Sequence, residues 1–174
     1  MRRRMRWWMT RGAVGLLAAA LPPAVLGACA PSAGLVPDAA PSGPSVQLTG
    51  DVDGAHALLT IEGRDLGAVF GLSWHVRLDD AAVAVVAPVQ APVLGDGAVL
   101  LERVEAGDVA FGGTRPSRDA GEVEVADGVL ATLEVRARAG GTSRVDIEAA
   151  VARRLDGSFV ALAAAGGSLT LEAP

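Results

Sequence analysis

Ser73, His75 and Arg77 alternate along the run Phe70 to Leu78, so an extended chain puts all three on one face. Serine beside histidine is the beginning of nucleophilic catalysis. That chemistry also needs an orienting acid and a hydrogen bond from hydroxyl to imidazole. Same-face neighbours two residues apart lie about 7 Å from one another, too far for that bond. Gly71-x-Ser73-x-His75 also lacks the closing glycine of a nucleophile elbow, so the reading is a polar outer face and no enzyme. His56 is the only other histidine, and two imidazoles alone make a poor zinc site. Asp51-Val52-Asp53-Gly54 opens like a calcium loop but lacks the ligand series that ends in glutamate; it reads as a turn between the first two strands. The glycine pairs lie between strands rather than opening helices, so no phosphate cradle is implied. Neither metal nor cofactor is expected. The longest polar loop runs from Gly112 to Gly121. Loops on a rigid scaffold often carry binding, and a guanidinium matches a partner's carboxylate. Arg115, Arg118 and Asp119 are therefore the candidate partner contacts.

The elements that must position these residues have a period of two. Phe70, Leu72, Trp74, Val76 and Leu78 point one way, and polar residues the other. Residues 129 to 138 predict Val129, Ala131, Leu133, Val135 and Ala137 inward, with Leu130 outward. Residues 143 to 151 predict Val145, Ile147, Ala149 and Val151 inward. Weaker strands are expected over 46–49, 56–62, 83–87, 98–103, 109–112, 122–125, 159–162 and 168–172. Asp-Gly turns at Asp53-Gly54, Asp96-Gly97, Asp127-Gly128 and Asp156-Gly157 separate several of them. Short strands with frequent turns predict an all-β, antiparallel sandwich over residues 46–174.

The start of the chain reads differently. Arg2, Arg3, Arg4, Arg6 and Arg11 precede an apolar stretch from Gly12 to Leu26 that contains Pro22-Pro23. Too short and too broken to span a bilayer, it has the parts of a secretory signal. Leu26-Gly27-Ala28-Cys29 resembles the lipobox of bacterial lipoproteins. The resemblance implies cleavage after residue 28 and lipid on Cys29, the single cysteine. Two or more acyl chains anchor durably where one does not. Ala30 stands where aspartate would retain such a protein at the inner membrane, which favours the outer membrane. Residues 29–45, rich in proline, alanine and serine, read as an unpacked tether.

Composition excludes one class of partner. All 15 basic residues are arginine and five leave with the leader, while all 20 acidic residues remain. The mature chain therefore carries a charge of about −10, which repels nucleic acid. Aromatics are few. Phe70 and Trp74 fall on the core-facing row, and Phe111 and Phe159 read as core as well. That leaves little for a sugar to stack on.

Several segments, in order, carry a second resemblance. Phe70 to Val83 is similar to the cohesin strand that runs into a Tyr-Asp-Pro turn, with Leu78 and Asp80 in place of the tyrosine and proline. Asp127-Gly128-Val129-Leu130-Ala131-Thr132-Leu133 resembles the family's dG-x-(L/F)-A-T-(L/I) strand, followed by Ala139-Gly140-Gly141-Thr142-Ser143, like its glycine-containing turn. Gly166 to Leu171 resembles its last strand. The resemblance implies a jelly-roll sandwich of about nine strands, related to carbohydrate-binding modules. Its implied role is non-catalytic protein binding to an unidentified partner, of which a dockerin-like protein is one candidate; together with the lipobox, this gives a lipid-anchored protein of the bacterial cell envelope. The alternative is a carbohydrate-binding module acting at polysaccharides.

Overall fold

The computed structural model describes residues 32–174. Twelve strands form two sheets: β1 (Gly34–Pro37), β2 (Ser45–Asp53), β3 (His56–Val69), β4 (Gly71–Leu78), β5 (Val83–Gln90), β6 (Val99–Glu105), β7 (Asp108–Thr114), β8 (Val123–Ala137), β9 (Gly141–Arg153), β10 (Phe159–Ala161), β11 (Ala163–Ala165) and β12 (Gly167–Leu171). One sheet runs β1-β12-β9-β4-β7-β6, with β10 also on β9; the other runs β11-β2-β3-β8-β5. Without the three shortest strands, β1, β10 and β11, the expected nine remain. All pairings are antiparallel except β11 with β2.

The alternating pattern closes the core between the sheets. Phe70, Leu72, Trp74, Val76 and Leu78 are all buried, and the last four share one core with Leu59, Ile61, Leu133 and Val135 from the other sheet's strands. Trp74 stacks on Phe111 with ring centroids 5.4 Å apart. Leu94, in the loop after β5, is fully buried and plugs one end of the sandwich.

Three sequence expectations change, each through the backbone. Asp127-Gly128 is not a hairpin; it lies inside the continuous strand β8, at an irregular stretch of its pairing with β3. Ala131 pairs with Ile61 and Val129 with Glu62, so Leu130 is the extra residue of a bulge. Leu130 is consequently buried and Val129 exposed, the reverse of simple alternation. In β9, Ser73 pairs with Val151 but His75 pairs with Glu148, so two β9 residues lie opposite Trp74. Ala149 takes a φ of 51° there, Ala150 and Ala152 turn inward, and Val151 turns out. The third change is Phe159, which is 68% exposed rather than core.

The sandwich also begins earlier than residue 46. β1 lies within the segment that composition marks as tether, and it pairs Gly34 with Thr170 and Pro37 with Gly167. Two groups beyond the ladder hold it. Asp38 N–H donates to the Gly166 carbonyl at 2.9 Å, and Arg144 clasps the Asp38 carboxylate with both terminal nitrogens. That guanidinium holds the Asp38 carboxyl below the usual carboxylate range. Gly166 fits because a Cβ there would lie 2.1 Å from the Val145 carbonyl oxygen.

Candidate functional site

The outer face of the β6-β7-β4-β9-β10 sheet is built of cross-strand rows. One row reads Leu101, Gly112, Ser73, Val151, Ala161, and the next reads Val99, Thr114, Gly71, Arg153, Phe159. On β7 and β4 both rows carry glycine, serine or threonine; β9 adds Val151 and Arg153, and the flanks carry Val99 and Leu101 on one side and Ala161 and Phe159 on the other. Large apolar walls over a floor without side-chain bulk make a groove of about 250 Å³. Leu101 is 67% exposed at its rim. The Arg153 guanidinium lies over the Phe70 ring, 5.9 Å from its centroid, and closes one end of the floor with a positive charge. Phe159 is presented by a fixed turn. Asp156 accepts the Ser158 N–H at 2.8 Å, which holds the Asp156 carboxyl below its usual range.

The other half of the same face is charged and paired with itself. Its rows read Arg103, Ala110, His75, Glu148 and then Glu105, Asp108, Arg77, Asp146. His75 Nδ1 lies 3.1 Å from Asp108 Oδ1, Arg77 Nε lies 2.8 Å from Glu148 Oε2, and Arg103 pairs with Glu105. Ser73, His75 and Arg77 do share this face, as the alternation predicts. Asp108 supplies an acid for the histidine, yet Ser73 sits a row away in the groove floor and makes no hydrogen bond to His75.

The remaining sequence candidates fall elsewhere. His56 is on β3, in the opposite sheet from His75, so the two do not meet. Asp51, Asp53 and His56 line a shallow hollow with Leu58 and Glu134 on the outer face of that sheet. Among the described residues, no three His, Cys, Asp or Glu side chains converge as a metal site. Arg115 is turned into the fold. Its guanidinium donates to the Leu94 carbonyl and, at 2.8 Å, to the Ala120 carbonyl, stapling the Leu94 plug to the neighbouring loop. Arg118 and Asp119 are exposed on a 3-10 turn, Arg118–Ala120, at the same end of the sandwich. Cys29 and the leader lie outside the described residues.

Sequence reasoning missed Val99, Leu101, Val151 and Phe159. One signal was present. Val99-Leu100-Leu101 are three consecutive apolar residues, and a strand cannot turn all three inward. Val151 gave none, because only the bulge at Ala149 turns it out.

No protein-family model matches the chain, and no curated protein matches it. Solved structures do. The sixth cohesin of scaffoldin B from Acetivibrio cellulolyticus, in complex with a Cel5 dockerin mutant, is 13% identical, covering 75% of this chain and 100% of that one, at a TM-score of 0.62. A cohesin module of a family 33 glycoside hydrolase from Clostridium perfringens is 11% identical, covering 75% and 97%, at 0.60. A non-cellulosomal cohesin from the archaeon Archaeoglobus fulgidus is 12% identical, covering 75% and 91%, at 0.57. The fold is cohesin-like.

Proposed function

We propose that this chain is a non-catalytic protein-binding module, held in the bacterial cell envelope, outer membrane favoured, by lipid on Cys29. The groove between Leu101 and Phe159 is its docking site. The carrying observation is that Gly112, Ser73, Thr114 and Gly71 on β7 and β4 lie between exposed Val99 and Leu101 on β6 and exposed Phe159 on β10. A soluble domain gains nothing in its own stability by exposing Leu101, Val99 and Phe159 together, and contiguous exposed apolar surface of this kind marks a binding site. A partner that inserts an apolar ridge would desolvate the walls. The charged rows beside them would set its orientation, since complementary charge selects partners more than it adds affinity. The cohesin-like fold, in a neighbour that forms a complex with a dockerin, supports a dockerin-like partner. Arg118 and Asp119, on the loop at the groove end of the sandwich, would add contacts at the edge.

Gly112 provides the test. A Cβ built there meets nothing within 4 Å, so Gly112→Leu fills the groove without touching the core. Affinity capture from envelope extract, run in parallel with wild-type and Gly112→Leu protein, should lose one protein band with the variant. A captured set that does not change with Gly112→Leu overturns the groove as the docking site. Retention of the wild type on insoluble polysaccharide, abolished by Phe159→Ala, would instead support the carbohydrate-binding alternative.

A further inference from the structure

The point where the chain enters the sandwich and the groove lie at opposite ends of the molecule. Gly34 pairs with Thr170, and Thr170 with Thr142 at the start of β9. The groove rows cross β9 at Val151 and Arg153. Nine residues of β9 separate Thr142 from Val151, which is about 25–30 Å along the strand once the bulge is allowed for. Only Ala30 to Ala33 lie between Cys29 and β1. Even fully extended, that link reaches no more than about 18 Å. The spacer suggested by composition is therefore largely used up by β1.

The end that carries Gly34 is a connected set of loops. Glu172 N–H donates to Gly54 O, Ala137 N–H to Ala55 O, Arg138 N–H to Ala82 O and Leu78 N–H to Gly107 O. It carries Asp53, Asp79, Asp80 and Glu172, against Arg138, which pairs with Asp80 at 3.3 Å. One broad face balances Glu105, Asp108, Asp146 and Glu148 with Arg77, Arg103, Arg144 and Arg153, and the other bears Asp51, Glu62 and Glu134 beside Arg136. Charge therefore selects neither face for lipid, and position follows from the link.

We infer that the acylated module is held to the bilayer by its Gly34 end. The Asp53–Ala55, Asp79–Ala82 and Arg138–Gly140 loops lie nearest the headgroups, and the Leu101–Phe159 groove is at the far end of the sandwich. This rests on the lipid reading of Cys29. The short link keeps that end close to the surface.

The test uses full-length protein processed in membranes and reconstituted into vesicles of phosphatidylethanolamine and phosphatidylglycerol with a headgroup-bound acceptor dye. A donor is placed through Ala139→Cys at the anchored end or Ser117→Cys at the groove end; both positions are exposed. Mass spectrometry of the mature N-terminus is read first. With acylated Cys29, donor quenching at residue 139 should be at least twofold that at residue 117. A long Gly-Ser insertion between Ala30 and Pro31 should shrink that difference. Equal or reversed quenching in acylated protein overturns the orientation while leaving the anchor intact. A difference that survives the insertion overturns the short link as its cause. An unmodified N-terminus overturns both anchor and orientation.

Discussion

Arg144 grips both oxygens of Asp38, 106 residues earlier in the chain, and in doing so fastens the first strand of the sandwich to the middle of its sheet. Arg144 Nε is engaged by Asp146 at 2.8 Å, so the guanidinium is held in place between two carboxylates. Its own pKa is raised further by the Asp38 and Asp146 hydrogen bonds, and it stays charged at any working pH.

The acid response of β1 follows from this pair. Folding lowers the Asp38 pKa, chiefly through the Arg144 hydrogen bond. The stabilisation is therefore complete above the unfolded value of about 4 and is lost as pH falls through the folded value. Because the pair is solvent-exposed, the effect belongs to β1 and not to the whole domain. Hydrogen exchange should show the amides of β1 losing protection as pH falls below the usual carboxylate range while those of β4 keep theirs. Asp38→Asn should show the same loss at neutral pH. Equal protection of β1 in wild type and variant would refute the clasp.

Arg115 should behave as a structural residue. Its two hydrogen bonds go to backbone carbonyls on separate loops, and one of those loops carries the buried Leu94 plug. Arg115→Ala should lower unfolding stability by about 1–3 kcal/mol, the range for hydrogen bonds from a charged donor. Arg115→Lys should recover little, since a point charge cannot span two acceptors. Urea denaturation measures both. A neutral Arg115→Ala would return the residue to the pool of surface contacts.

Trp74 tests the core. It is 1% exposed and stacked on Phe111, so Trp74→Ala should cost about 3–5 kcal/mol. In protein that starts at Cys29, as proposed, Trp74 is the sole tryptophan. Its emission should be blue-shifted and insensitive to acrylamide in the native protein. Ready quenching would contradict a closed interior.

Side-chain alternation made the two-sheet core legible. The alternate residues of Leu72 to Leu78 and of Leu133 to Ala137 could be assigned to the interior from period two alone, because each set lies in an unbroken strand. The groove was legible only at Val99-Leu100-Leu101, where three consecutive apolar residues cannot all turn inward. Val151 owes its direction to the bulge at Ala149, which no local pattern announces, and Leu130 and Val129 exchange faces in the same way at a bulge in the other sheet. Phe159 is exposed because β10 is a three-residue strand on the outer half of β9 with nothing packed over it. Likewise, Gly34–Pro37 reads as a spacer until Thr170 and Gly167 are seen to offer a free edge for it to pair with.

Ala149 is where fold and groove are most directly linked. Its φ of 51° is left-handed, a region that costs an L-residue with a Cβ roughly 1–2 kcal/mol. The strain is retained because the bulge turns Val151 and Arg153 outward to line the groove while keeping Ala150 and Ala152 in the core. Ala149→Gly removes the clash at some cost in chain entropy, so it should raise stability by about 0.5–1 kcal/mol and leave partner capture intact. Deleting Ala149 removes only the extra residue. Alternation then runs from Glu148 outward to Ala150 inward, Val151 outward, Ala152 inward and Arg153 outward, so the groove lining keeps its direction and partner capture should survive. Thermal unfolding and affinity capture of both variants measure the effects. An Ala149→Gly variant no more stable than the wild type would mean that Ala149 holds no strain, and loss of capture on deletion would mean that the groove needs the bulge itself.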